Sequence, residues 1–505
     1  MMLRVDKLKK DVSMLFKACK HVIGTLTLVN ALQLLGIDHL FKEQIDMELR
    51  HAHEREFNSS SLYEVALHFR LLREHGLWVS PDVFDKFKDE RGSFSVEITN
   101  EPRGLLGLYN AAFLLIHGES ELDEAMHFAR YHLESMMGNF KSPLAEQVKR
   151  ALNIPLPRTY RRLETMYYLS EYKHEEGYNP ILLELAKLEF TLLQYVHLKE
   201  LNSISRWWND AYELMGLSYA RDRLVECYTS SYTLFYEKDF EMARLMFTKI
   251  LALQTVLNDT YDAHATIVES RKLNMAIQRW DYSADSFLPD YLKMFYNLVL
   301  TTFKEFEDLL GLDKKNKVAY VKKEFQNLST YYLQEAEWSH KNFKPSFEDQ
   351  LNLTSMSIGV PMLCVASAVG MGDTLMKGTL ERVVEFPDVI ISCAKIERLM
   401  NDISAIHLGK NKGDVPTTVE CYMNDHKVSS EVALARIDTF MDDEWRTINQ
   451  ARFEDHAQIS ADFLKRVINY ATSTSLFYGR NKEGFTFGTH LQETVDILFV
   501  KSVQL

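Results

Sequence analysis

Hydrophobic residues recur at three- and four-residue spacing through almost the whole chain, and no stretch sustains the alternation a β-strand needs. In NPILLELAKLEFTLLQYVHLKEL, Asn179 and Pro180 stand as N-cap and first-turn residue, and Leu185, Leu188, Leu192 and Tyr195 follow on one helical stripe. The 20 glycines and 11 prolines are sparse and punctuate helix ends, as at Asn153 to Pro157 and Asp313 to Lys317. The expected fold class is therefore all-α. At 505 residues the chain exceeds the size at which one hydrophobic core stops growing, so two helical domains are expected. The polar stretch EYKHEEGYNP is the candidate boundary, giving domains 1–178 and 179–505. No period of about 30 to 45 residues marks a helical solenoid.

Charge and cysteine usage exclude several classes. A formal charge of -13 argues against a phosphate backbone as partner, so no nucleic acid is expected. Cys19, Cys227, Cys364, Cys393 and Cys421 lie far apart with no CxxC pair, which fits a reducing compartment. The opening MMLRVDKLKKDVSMLFKACK is amphipathic and has neither a signal-peptide apolar core nor the look of a transit peptide. The apolar run VPMLCVASAVGMG falls short of the roughly 20 residues that span a bilayer. A cytoplasmic monomer without membrane insertion is the expectation.

Three stretches carry candidate chemistry. In LNDTYDAHAT, Asp259 and Asp262 share a helical face and Asn258 is one turn from Asp262. Hard oxygen ligands on one face suit Mg²⁺, which is commonly held by one or two carboxylates together with substrate phosphates. Acids at a helix C-terminus oppose its dipole by some tenths of a kcal/mol, so a neighbouring cation is called for. On spacing alone, a solvated acidic helix end is the commoner meaning of such a pair. In SYARDRLVECY, Arg221 and Arg223 flank Asp222; two guanidiniums so close suit a diphosphate, although a surface ion-pair ladder is the commoner reading. In KIERLMNDISAIHLGKNKGD, Arg398, Asn401 and Asp402 sit on a helix expected to stop near Gly409, with Lys410 and Lys412 beyond; a capped, exposed helix end is the alternative.

Taken in order, RDRxVE, the DDxxD-like NDTYD followed by AxxT, RLMNDI, SRWWND, IQRWD and EGFT resemble a plant terpene synthase of the cytosolic sesquiterpene type, over nearly the whole chain. The resemblance implies a C-terminal class I helical bundle and an N-terminal relic helical barrel. The relic has no DxDD motif, so class II protonation is not implied. It further implies farnesyl diphosphate as substrate, with a geranyl substrate open, and Mg²⁺ as cofactor, with Mn²⁺ possible. Asp259, Asp262, Asn258 and Asn401 would be metal ligands. Arg221, Arg223, Arg398 and Lys412 would receive the diphosphate, and Tyr478 would be an aromatic of the pocket wall with a catalytic role. MSIGVPM, with Gly359 and Pro361, resembles the kinked helix whose freed carbonyls face the cation; a simple kink is the ordinary reading.

The chain also departs from the family. Asn258 replaces the first acid of its motif, and Ala405 and Gly409 stand at two of the three ligand positions of the second. Thr229 and Ser230 stand where Phe and Trp are usual, and Phe485 stands where Tyr is common. The RPxxxW-type segment that covers the family's site is not in the sequence, which predicts weaker closure against water. Glu397, one turn before Asn401, is a candidate replacement carboxylate; pairing with a nearby cation is its commoner fate. Two expectations follow: Mg²⁺-dependent ionisation and cyclisation of farnesyl diphosphate, or a catalytically silent relative that keeps the fold.

Overall fold

The computed structural model describes residues 2–311, 314–409, 416–454, 459–479 and 482–503. Among these, helices carry the fold, and extended pairing is confined to the hairpin Tyr478–Gly479 with Lys482–Glu483 and one bridge between Lys88 and Phe94. The all-α expectation is met.

The chain divides into two compact units, residues 1–195 with 449–454 and 496–505, and residues 196–448 with 455–495. The sequence passes from the first to the second inside the 36-residue helix Pro180–Met215. The expected 178/179 boundary is where that helix begins: the Asn179 side-chain oxygen accepts the Ile181 N–H at 2.9 Å, and Pro180 fills the first turn. Nothing after Pro180 breaks the helix until Gly216, which takes the left-handed conformation at φ 61°. Leu185 and Leu188 are buried as their spacing requires, whereas Tyr195 at the end of the stripe is 71% exposed.

In the first unit, the helix Leu62–Glu74 buries most of its length and carries a charge into the core. Arg73 is wholly buried, donates to Glu119 at 2.6 and 2.7 Å and to the Val79 carbonyl, and lies over the rings of Phe69 and Trp78. Such a charge is tolerable only when fully paired.

In the second unit, the helix Glu241–Asp259 runs through the core with ILALQTVL buried on every side. It packs on Val360–Met371 so closely that a Cβ at Gly370 would sit 2.6 Å from the Ala243 Cα. Together, Phe347–Thr374 is long and apolar enough to cross a bilayer, but 89% of that window is buried in protein. It is two core helices, Phe347–Ser357 and Val360–Met371, broken at Gly359, which takes φ 92°. The helices Val318–His340, Asp388–His407 and Ala461–Phe477 complete the bundle that surrounds a cavity of about 900 Å³.

Candidate active site

One rim of this cavity is the end of Glu241–Asp259, which closes with a turn of π-helix at Thr260–His264. Asp259 is buried. Its carboxylate accepts the Arg221 backbone N–H at 2.7 Å and the Arg221 guanidinium at 2.8 and 2.7 Å. The cation that the helix dipole called for is Arg221. Burial works against its charge, but the Asp259 hydrogen bond and charge more than offset this, and the guanidinium stays ionised. Arg221 also donates to the Asn258 amide oxygen at 3.1 Å and to the Thr486 hydroxyl at 2.9 Å. Asn258 in turn donates its N–H to Asp262 at 2.7 Å. Asp259 is thus spent on Arg221, and the exposed Asp262 is the part of the motif that offers a carboxylate to the cavity.

The two arginines of RDRL do different things. Arg221 lines the cavity, whereas Arg223 does not: its guanidinium donates to the Thr486 and Asp222 carbonyls, the latter at 2.7 Å. Thr486 therefore holds both arginines, one through its hydroxyl and one through its carbonyl. The segment is fixed at its other end by Glu483, whose carboxylate accepts the Phe485 and Thr486 backbone N–H groups at 3.2 and 2.9 Å.

The opposite rim is the end of Asp388–His407. Arg398 donates to both Asn401 and Asp402, and the other Asp402 oxygen accepts the Thr418 N–H and hydroxyl at 2.8 and 2.9 Å. Burial opposes the Arg398 charge and Asp402 restores it, so its pKa stands above the ordinary value. Its Nε is a buried donor with no protein acceptor. Arg398, Asn401 and Ala405 line the cavity together with Asn258, Asp259 and Asp262. Gly409 ends the helix at φ 67° and contributes no side chain. Lys412 and Lys410 lie outside the described residues.

Between the rims the wall is aromatic and aliphatic, with Tyr332, Tyr470, Phe477, Tyr478 and Phe485 among its rings. The Tyr470 and Tyr478 hydroxyls are pushed well above their ordinary pKa by burial and remain protonated. Ser230 lines the wall, and Thr229 is buried behind it with its hydroxyl donating to Val225 O at 2.8 Å. At the Gly359 break, the Ile358 carbonyl accepts the Gln254 amide at 2.8 Å, leaving the Gln254 Oε1 buried without a partner. A Cβ at 359 would lie 2.2 Å from that amide, so the glycine makes the arrangement possible. Sequence reasoning passed over Gln254, although a lone amide in the apolar run ILALQTVL, one turn before Asn258, was a legible signal.

Asp262 offers an exposed carboxylate to the cavity, whereas Asn258 turns its amide N–H to Asp262 and its oxygen to Arg221, so a hard divalent cation here would take most of its oxygens from water and phosphate. Among the described residues no three His, Cys, Asp or Glu side chains gather to hold an ion on their own.

Residues 1–152 match the family model of the terpene synthase N-terminal domain, and residues 210–447 match that of the terpene synthase metal-binding domain. A tau-cadinol synthase of Zea mays is 47% identical, over 99% of this chain and 93% of its own, and an alpha-copaene synthase of Zea mays is 46% identical over 99% and 95%. Among solved structures, a limonene synthase with 2-fluorolinalyl diphosphate superposes with a TM-score of 0.93 at 28% identity, covering 100% of this chain and 95% of that one. Isoprene synthase from grey poplar, in complex with three Mg²⁺ ions and dimethylallyl-S-thiolodiphosphate, gives 0.90 at 29%, covering 99% and 97%. The chain belongs to the terpene synthase family, a lyase of the two-domain helical type whose C-terminal domain is metal-binding.

Proposed function

We propose that this chain is a sesquiterpene synthase that ionises farnesyl diphosphate, cyclises the allylic cation and releases diphosphate in the cytoplasm. What supports the reading is the gathering of Arg221, Arg398, Asn258 and Asp262 on the rims of one cavity whose wall is aromatic. The named sesquiterpene-type relatives support the chain length, and the five free cysteines fit a reducing compartment.

The geometry supports the following roles. Asp259 orients and neutralises Arg221, whose one remaining Nη1 N–H, with the unpartnered Nε of Arg398, receives the diphosphate; Lys412, outside the described residues, is assigned to the same task by the family resemblance alone. A Mg²⁺ ion, or Mn²⁺ in its place, held by Asp262 and by Asn258 once its oxygen is released from Arg221, would add positive charge where the leaving group becomes more negative. Fixed donors in a site that excludes water stabilise that charge better than solvent does. The Tyr478 and Phe485 faces border the space left for the hydrocarbon, where ring quadrupoles favour a cation. The unpartnered Gln254 oxygen adds a negative dipole end to the same wall.

A second reading, a silent relative, is favoured by one observation: the Asn401 oxygen is already engaged by Arg398, and Ala405 and Gly409 offer no ligand. Incubation with farnesyl and geranyl diphosphates in Mg²⁺ and in Mn²⁺, followed by gas chromatography, separates the two. Terpenes from the farnesyl substrate establish the synthase. No hydrocarbon or alcohol under any condition establishes the silent relative.

A further inference from the structure

Glu397 is a cavity-lining acid that the diphosphate machinery leaves unused. It lies one turn before Asn401 on Asp388–His407, and its Oε2 is buried with no hydrogen-bond partner. Its surroundings are not those of a metal ligand. Tyr470 of the helix Ala461–Phe477 faces it with a hydroxyl that favours the charged form, and Tyr478 lies beside it on the hairpin. Cys364 approaches from Val360–Met371, and Cys393 and Arg398 are on its own helix. Both thiols and both phenols are held above their ordinary pKa, first by burial, so Glu397 is the acidic member of this group that can exchange a proton near neutrality. Burial lifts its carboxyl to about 7, with Tyr470 and Arg398 pulling the other way. A buried carboxylate that makes no direct ion pair costs stability, and its natural complement in this wall is a bound carbocation.

We propose that Glu397 is the base that ends the reaction, removing a proton from the cyclised carbocation at the aromatic end of the cavity. The step balances within the active site. The carboxylate takes H⁺ from a carbon next to the cationic centre, and the C–H electron pair becomes the new C=C bond. Neutral olefin and neutral carboxylic acid result, and the acid returns its proton to solvent once olefin and diphosphate have left. Tyr470 acts as a positioning residue, its hydroxyl orienting the carboxylate. The proposal rests on the sesquiterpene synthase reading and adds to it the group that terminates the cascade.

The test is Glu397→Gln with farnesyl diphosphate, reading diphosphate release and the ratio of products in the same vial. Because the ratio is internal, a smaller folded fraction does not alter it. The dominant olefin is expected to fall at least tenfold relative to alcohols and alternative olefins. The ratio in the unaltered chain is expected to change between pH 6 and 8 and in the variant to stay flat. A variant with an unaltered product ratio while diphosphate is released overturns the base alone. No diphosphate release by the unaltered chain overturns the synthase reading and the base with it. Should Glu397→Gln fail to fold, Tyr470→Phe decides: a displaced pH profile of the product ratio supports the arrangement, and an unmoved profile overturns it.

Discussion

The two helix ends that border the cavity each join an arginine to an amide and a carboxylate, and they differ in what else they offer. At 258–262, with an amide at its head, the stretch forms a connected device: Asp259 holds Arg221, Arg221 holds Asn258, and Asn258 holds Asp262. At 398–409 the anion-binding half survives in Arg398, but the ligand half ends in Ala405 and a glycine that stops the helix. An amide can replace a carboxylate where its oxygen is still an acceptor and its N–H finds a partner. A methyl group or a hydrogen cannot replace a ligand at all. The charge that drives ionisation in the proposed function is therefore assigned to the first end.

The sharpest way to break this comparison is Asp262→Asn, which removes the carboxylate that is not spent on Arg221. Diphosphate release is expected to fall by about 10² to 10³, or some 3 to 4 kcal/mol of barrier, with the unfolding midpoint unmoved. Arg221→Met tests the pairing itself. It leaves the buried Asp259 without its cation, and because Arg221 is 27% exposed the expected loss is about 2 to 3 kcal/mol in urea unfolding, below the full cost of breaking a buried pair. The pH dependence of stability tests the wall between the ends. The Glu397 pKa is raised in the folded chain from 4.5 to about 7, so the folded state binds more protons than the unfolded state in that window. Stability is then lost as pH rises from about 4.5 to 7, by at most about 1.4 kcal/mol per pH unit, and Glu397→Gln is expected to remove that slope.

Gain-of-ligand variants sharpen the comparison with smaller effects. Asn258→Asp is expected to lower the Mg²⁺ concentration for half-maximal release about tenfold, since it adds a full charge where Arg221 already donates. Ala405→Ser with Gly409→Glu is expected to give less. A glutamate at 409 must adopt the left-handed conformation, costing about 1 kcal/mol, or lengthen the helix, so a ligand there and the present helix end are mutually opposed.

Much of the architecture was legible because helical spacing, Asn179–Pro180 and the sparse glycines report it locally. The convergence of Arg221, Asp259, Asp262, Arg398 and Asn401 on one cavity followed the order of motifs rather than any periodicity. What was not legible depended on tertiary contacts. Nothing in RDRL distinguishes Arg221, aimed at Asp259, from Arg223, aimed at the Thr486 carbonyl 263 residues away. The Gly359 kink was visible, but the capture of its Ile358 carbonyl by Gln254 was not, because the two are 104 residues apart. Glu397 was seen as a possible ligand. Only the rings and thiols packed around it show why its raised carboxyl suits the proposed proton acceptor.

Diphosphate release from farnesyl diphosphate in Mg²⁺, measured side by side for the unaltered chain and Asp262→Asn, tests the central claim most directly. Release by the unaltered chain and its loss by two orders of magnitude or more in the variant is the predicted result. Equal release by both, or none by either, would contradict the assignment of the ionising charge to the 258–262 end.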